Sequence, residues 1–356
     1  MEARRVLALG LLVIAFGLTT AVRRSSAQPP PVDDYLALLD RYRSVDTRGA
    51  VQAMSDREDR WVESAVGAAL RNAALWPTER IEAAVLLHTE VVTGGWVLAQ
   101  HVPVHLTAAR RLMELGRPHR VPDDFRRRWL LAVCWHFQSE MELGALVPWL
   151  DELRTLAPDD PERLLAEGIF YETLAWNDAP PADLTWDGRS PTLSAVSSRK
   201  RTDILERASA AYRRAAGSAG VHDAASARLG RTLAELGRTE EARRTLTPLT
   251  TSAGERRWRY LAALFLAQAE AGAGRRVSAA AAYERAATLL PGCQTPHVGL
   301  TVLRRLEGEI ARAAEIAAAL TRATLDCDDP WWFYRFGQPP DRLPQLLAAL
   351  REPLLH

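Results

Sequence analysis

Apolar residues recur at three- and four-residue spacing through almost all of residues 32–356, which is the period of amphipathic helices. Helix-favouring alanine, leucine, arginine and glutamate dominate this region, and no stretch alternates as a strand does. Proline, glycine and Asp-Pro breaks interrupt the pattern at intervals that suit helical hairpins. In the first half the pattern predicts helices at about 33–43, 47–55, 57–75, 78–93 and 106–116. The sequence therefore predicts an all-α chain of antiparallel helix hairpins.

A pattern of small and apolar residues repeats in the second half of the chain. Each unit reads alanine, an apolar residue four positions later and another after three more. The units begin at alanines that lie 34, 37 and 34 residues apart: Ala208, Ala242, Ala279 and Ala313. A glycine stands five residues before each of the last three: Gly237, Gly274 and Gly308. Self-similarity at this period is typical of a repeat architecture.

Two segments of these units, ARLGRTLAELGRTEEARRTL and AAAAYERAATLLPG, resemble the tetratricopeptide repeat. The resemblance implies a right-handed superhelical solenoid of helix hairpins. The C-terminal stretch DDPWWFYRFGQPPDRLPQLLAALREPLL departs from the repeat and resembles the terminal segment of exported bacterial repeat proteins of unassigned role. Upstream, Leu164, Gly168 and Tyr171 have the spacing of a first helix, whose second helix (Ile204 to Ala216) follows only after a long loop. We therefore expect the first half to consist of degenerate hairpins of the same kind.

In tetratricopeptide domains the first helices line a concave face that binds extended peptides. The resemblance assigns the corresponding positions of this chain to such a face: Arg228, Arg231, Glu235, Gln268 and Arg305. Three arginines along one groove would favour a carboxylate or an acidic segment of a protein partner. The alternative is that the same side chains form an ordinary solvated face.

The pattern divides the chain into five parts. Residues 1–27 form a leader, 32–176 a region of degenerate hairpins, 177–200 a long polar loop rich in Pro, Ser and Asp, 201–325 the repeats, and 326–356 an aromatic C-terminal cap. A loop of that length is uncommon inside a compact domain and is usually functional or flexible.

The N-terminus has a basic start, 13 apolar residues from Val6 to Leu18, and small residues at Ser25 and Ala27. This order is typical of a secretory signal peptide, here cleaved after Ala27. Arg23 and Arg24 oppose cleavage, and residues 6–22 would then remain as an inner-membrane anchor. In both cases the folded part is expected outside the cytoplasm, in the periplasm or secreted.

Tryptophan is frequent, with 11 in the chain, and aromatic residues cluster near the C-terminus. Trp331, Trp332 and Tyr334 would make a platform for stacking sugars if their rings were exposed. The alternative is that these rings cover the open end of the solenoid, which otherwise presents an apolar face.

Cys293 and Cys327 lie 34 residues apart, in the same phase of the repeat. Neighbouring repeats stack at about 8–10 Å, whereas a disulfide needs Cα atoms within about 7 Å, so a bond requires the two loops to lean together. An oxidising compartment would permit it. Cys134, in LLAVCWHF, is expected to be a small core residue.

Three patterns suggest chemistry, and each lacks a necessary part. Ser197 to Lys200 matches SxxK, but Lys200 is the only lysine, so the second lysine of serine acyl-enzymes is missing. Glu63-Ser64 is not followed by the motif of lytic transglycosylases. His101-x3-His105 has metal-ligand spacing, but Pro103 is expected to break the helix between them. We therefore expect no enzyme, no cofactor and no metal.

The chain has 45 basic and 44 acidic side chains and a net charge of +1. This balance argues against nucleic acid as a partner. Contact with a membrane is expected only through the possible N-terminal anchor. The prediction is a non-catalytic scaffold that binds a protein or peptide in the cell envelope. The alternative is a protein that binds envelope glycans or a small ligand through exposed tryptophans.

Overall fold

The computed structural model describes residues 78–93, 102–115, 121–176, 198–322, 327–334 and 342–351. Within these ranges every regular element is an α-helix, which confirms the all-α prediction. The helices there are α1 (Thr78–Thr93), α2 (Val102–Leu115), α3 (Asp123–Ser139), α4 (Leu143–Leu156), α5 (Pro161–Trp176), α6 (Ser198–Ala215), α7 (His222–Glu235), α8 (Thr239–Leu249), α9 (Arg256–Gly272), α10 (Arg276–Leu289), α11 (Gln294–Leu306), α12 (Ile310–Arg322), α13 (Pro330–Tyr334) and α14 (Arg342–Arg351). The leader 1–27, the helices predicted before residue 76, and residues 177–197 lie outside the described residues.

Helices α1 to α12 pack in consecutive pairs, and each pair packs on the next. The first helix of each pair also contacts the first helix of the following pair, from α1 through α3, α5, α7 and α9 to α11. We call these six helices the first-helix row. The pairing is what the repeat pattern predicts, and the right-handed superhelical solenoid stays a prediction.

The turn inside three of the pairs explains the repeated glycine. Gly237, Gly274 and Gly308 have φ angles of +75°, +75° and +83°, a region that glycine adopts without a steric cost. At the first of them, the N–H of Arg238 donates to the carbonyl of Leu233 at 2.9 Å. The same bond recurs after Gly274 and Gly308. This is the Schellman termination, which ends the first helix and turns the chain into the second.

The α3–α4 pair uses the same turn without a glycine. Met141 has a φ of 60°, and the N–H of Glu142 donates to the carbonyl of Phe137 at 2.9 Å. A glycine at the turn therefore marks three of the hairpins, whereas this hairpin of the same geometry has methionine there. The predicted degenerate hairpin is present here, with methionine in a conformation that costs a non-glycine residue about 1–2 kcal/mol.

Close approach between helices explains the glycine inside α5. Gly168 faces the ring of Tyr212 on α6, so a Cβ atom at position 168 would overlap that ring. Gly230 on α7 faces Leu246 on α8 in the same way. The packing of α5 on α6 confirms that the second helix of this pair follows the long break.

Helix α2 differs from its prediction at its start. It begins at Val102 rather than near residue 106, and Pro103 lies in its first turn. Proline is tolerated there because the first N–H groups of a helix have no partner within the helix. Pro103 therefore does not break the helix ahead of His105. His101 lies outside the described residues, and no helix in the described ranges is long and apolar enough to cross a membrane.

Replacing Gly168 by alanine is predicted to destabilise the fold by about 1–3 kcal/mol, because the new methyl group displaces the Tyr212 ring. Gly272→Ala is the matched control, since nothing lies within 4 Å of a Cβ atom at that helical position. Helix propensity alone would make both changes favourable, by up to about 1 kcal/mol. Urea unfolding of both variants measures the difference, and equal stability changes would contradict the close approach.

Candidate functional site

The residues from Cys327 to Tyr334, here the C-terminal segment, lie on the first-helix row. Asp329 binds side chains of α11 and α9, and Tyr334 reaches Glu172 on α5. Helix α14 continues onto α3 and α1, where Arg128 donates to the carbonyl of Ala349 at 3.1 Å. The C-terminal residues therefore follow the row in the order opposite to that of its own helices.

A disulfide fixes the start of the segment. The structure joins Cys293 to Cys327, with the Cα atoms 5.1 Å apart. Cys293 immediately precedes α11, so the bond ties the segment to the last helix of the row. The two loops lean together as a bond requires. Cys134 is a buried thiol in α3, as expected, and burial raises its pKa.

The carboxylate of Asp329 joins the segment to two helices of the row. Its Oδ1 accepts hydrogen bonds from the Tyr260 hydroxyl at 2.8 Å and from the Trp331 N–H at 3.0 Å. Its Oδ2 accepts from the hydroxyl and the N–H of Thr295, at 2.7 and 3.1 Å. The carboxylate therefore caps the N-terminus of α13 and also binds a first-turn N–H of α11, where the helix dipole favours a negative charge. Burial, and then this carboxylate, raise the pKa of Tyr260, so its hydroxyl stays a donor.

A buried ion pair lies where the segment crosses α5 and α7. Glu172 is 1% exposed and Arg228 is 2% exposed, and Arg228 Nη1 donates to Glu172 Oε2 at 2.9 Å. Two tyrosines donate to the same carboxylate, Tyr212 to Oε2 and Tyr334 to Oε1, each at 2.6 Å. Burial, and then the carboxylate, raise the pKa of both phenols well above the usual value. They therefore remain protonated donors over the whole neutral range.

Arg231 lies next to this ion pair, surrounded by four aromatic rings that we call the aromatic box. Its guanidinium carbon is 3.8 Å from the centroid of Trp176 and 5.4 Å from that of Phe265, both on the row. It is 4.6 Å from Trp331 and 5.0 Å from Tyr334, both in the segment. These distances are within the range of cation–π attraction. The row and the segment thus each supply half of the box.

Glu235 orients one wall of the box. It accepts a hydrogen bond from Trp176 Nε1 at 3.1 Å and pairs with Arg201 at 2.7 Å and with Arg231 at 3.2 Å. Arg231 consequently has its charge balanced inside the protein, and the faces of its guanidinium are left to the rings.

The five residues predicted to line a partner-binding face do not form one open surface. Arg228 is buried under the Tyr334 ring, and Arg231 is enclosed by the box. Neither arginine is available to a partner's carboxylate in this structure, because Glu172 and Glu235 already pair with them. The last two residues, Gln268 and Arg305, are half-buried on α9 and exposed on α11 respectively.

Among the described residues of the row, the large exposed apolar side chains lie on α11. Val298, Val302 and Leu306 are exposed, at positions three, seven and eleven residues after Thr295. This spacing places them on the helix face that begins with Thr295, the residue that binds Asp329. An apolar strip with Arg305 beside it therefore continues from the point where the C-terminal segment enters the row.

The three residues predicted as an aromatic platform point in different directions. Trp331 is half-buried and stacks on buried Tyr334, with ring centroids 5.8 Å apart, and both face the row. Trp332 is 61% exposed, and Phe333 beside it is also exposed. The rings of Trp331 and Tyr334 lie against α5, α7 and α9, which differs from the predicted cap at the open end.

The sequence patterns do not single out several residues of this site, among them Glu172, Trp176 and Asp329. A glutamate inside the apolar pattern of α5 is the one local signal that indicates a buried carboxylate. Its partners come from distant parts of the chain, and the repeat spacing does not reveal them.

Other predicted chemistry falls away from this site or outside the described residues. His88 and His105 form a buried pair between α1 and α2, with their Nδ1 atoms 2.9 Å apart. The pKa of His88 lies well below its usual value, mainly because the ring is buried and secondly because of the charge of His105. Across the described ranges, no three His, Cys, Asp or Glu side chains are grouped to hold a metal ion. Glu63, Ser64 and Ser197 lie outside those ranges.

The chain matches no protein-family model and no curated protein. The geometry of the first-helix row and of the segment bound on it is therefore the basis on which function is inferred.

Replacing Glu172 by glutamine is predicted to lower the free energy of unfolding by about 3–5 kcal/mol, because the buried Arg228 would lose its ion pair with this carboxylate. Glu206→Gln is the control, since its ion pair with Arg238 is exposed and should contribute less than about 1 kcal/mol. Urea titration of the two variants gives the comparison. A loss at Glu172 no larger than that at Glu206 would contradict a buried pair.

Proposed function

We propose that this protein is a non-catalytic scaffold that binds a protein or peptide partner along its first-helix row. The supporting observation is that the row binds a peptide segment of its own chain. Rings, an ion pair and hydrogen bonds from α5, α7, α9 and α11 converge on that segment. A tetratricopeptide-type solenoid with a right-handed superhelix would extend such a groove, and the paired helices are compatible with it.

The exposed strip on α11 is where an external partner would first make contact. Val298, Val302 and Leu306 offer apolar surface, and Arg305 offers a cation beside it. A partner with an apolar segment and an acidic residue fits this surface. Of the three arginines predicted to attract an acidic partner, the exposed one, Arg305, lies here on α11.

The proposed location is the cell envelope. The order of charged, apolar and small residues before residue 28 supports export, either with cleavage after Ala27 or with anchoring by residues 6–22. The bond between Cys293 and Cys327 is also of a kind that persists in oxidising compartments.

Binding of an envelope glycan is a second candidate, which rests on Trp332 and Phe333. These two rings are exposed on α13 and are free to stack on a sugar. The buried ring of Tyr334 takes no part in such a surface, so a glycan would contact a smaller platform than the sequence predicts.

Site-specific photo-cross-linking in the native envelope tests the scaffold. A photoreactive residue at Val302, on the open part of the row, is predicted to capture a discrete protein partner. The same residue at Val277 is the control, because this valine is 83% exposed but lies on α10, outside the row. Equal capture at both positions, or no protein captured at Val302 while cell-wall sugars bind, would contradict the proposal.

A further inference from the structure

The half of the aromatic box that belongs to the row is built around one arginine. Arg231 lies between Trp176 and Phe265, and its charge is balanced by Glu235. Its Nη1 is buried and makes no hydrogen bond among the described residues. A guanidinium in this setting attracts the electron-rich faces of indole and phenol groups.

The polar groups beside the box define what else a ligand must carry. Tyr260 and Thr295 both donate to a single carboxylate, and the α11 N-terminus favours a negative charge at that point. At the other end, Glu172 Oε1 accepts one phenol hydrogen. The surface therefore fits a peptide that carries a carboxylate, an aromatic ring two residues after it and a tyrosine three residues after the ring.

The C-terminal segment has this arrangement in Asp329, Trp331 and Tyr334. Trp331 and Tyr334 are three residues apart on α13, so their rings share one face of the helix, whereas Trp332 is exposed. The contacts use side chains at fixed spacing in a short continuous stretch. Nothing in them requires that stretch to belong to the same chain.

We propose that the groove formed by α5, α7, α9 and the start of α11 recognises a partner peptide with an Asp-Pro-aromatic turn and a tyrosine, and that the C-terminal segment occupies this groove as an intramolecular competitor. This inference rests on the proposed scaffold function and specifies its ligand. The disulfide at Cys327 and helix α14 hold the segment at both ends, which keeps it at an effective concentration of about 1 mM near the groove.

The test is binding of a fluorescent peptide, Asp-Asp-Pro-Trp-Trp-Phe-Tyr, to the full chain by anisotropy. The variant Trp331→Ala/Tyr334→Ala removes the two rings that the segment supplies to the box, and it is expected to bind the peptide about a hundredfold more tightly than the wild type. The factor follows if the tethered segment, at an effective concentration of about 1 mM, has a dissociation constant of its own of about 10 μM. Trp332→Ala is the matched control, since its ring is exposed, and it should behave as the wild type. Adding Arg231→Ala to the double variant should abolish binding.

Two results would overturn the proposal. One is equal peptide affinity for the wild type and the double variant. The other is no binding to a double variant whose circular dichroism and melting temperature show that it is folded.

A second measurement uses the unmodified protein and does not depend on how a variant folds. The peptide carries a photoreactive group in place of its tyrosine and is added to the wild type at about 5 mM, above the effective concentration of the segment. Cross-links are expected on α5, α7 or α9. Cross-links elsewhere, or none, would overturn the proposal.

The outcomes separate this inference from the scaffold function. If the peptide fails in both assays while Val302 still captures a protein, the segment is a fixed part of the fold and the scaffold stands. If the peptide binds but the photoreactive residue at Val302 captures no protein, the groove binds peptides and the exposed strip on α11 does not bind a partner.

Discussion

The carboxylate of Glu172 is the group on which the rest of the structure depends. An ionised carboxylate taken out of water costs several kcal/mol unless its oxygens are paired, and Glu172 is 1% exposed. Its partners come from three places: Tyr212 on α6, Arg228 on α7 and Tyr334 in the C-terminal segment. The packing of one helix pair, the contact between neighbouring pairs and the docking of the segment are therefore linked through one charge.

This charge also changes what the arginines of the row contact. The arginines on α7 indicate an acidic partner when they are considered alone, as cations on an open face. Paired internally with Glu172 and Glu235, they present the faces of their guanidinium groups, and aromatic rings pack there. The central row of this structure thus contacts aromatic side chains of the segment, while the carboxylate of Asp329 is bound at the start of α11.

Local rules predict the hairpins well, because spacing and small residues are properties of neighbouring positions. Gly237 marks a turn that needs a positive φ, and Gly168 marks a close approach to Tyr212. The rule fails at Met141, where the turn forms without glycine. The site is non-local: Tyr334 binds Glu172 across 162 residues, and helical periodicity does not specify which distant segment covers a face. The face around Arg231 can be predicted from its repeat position, but its burial cannot.

The most direct test of this account is hydrogen exchange at the C-terminal segment in the wild-type protein. The N–H groups of Trp331 and Trp332 each donate to Asp329, at 3.0 Å, and that residue is buried on the row. If the segment is docked as described, these two amides exchange far more slowly than those of an unstructured peptide, and both become fast in Glu172→Gln. Exchange at the rate of an unstructured peptide in the wild type would contradict the account.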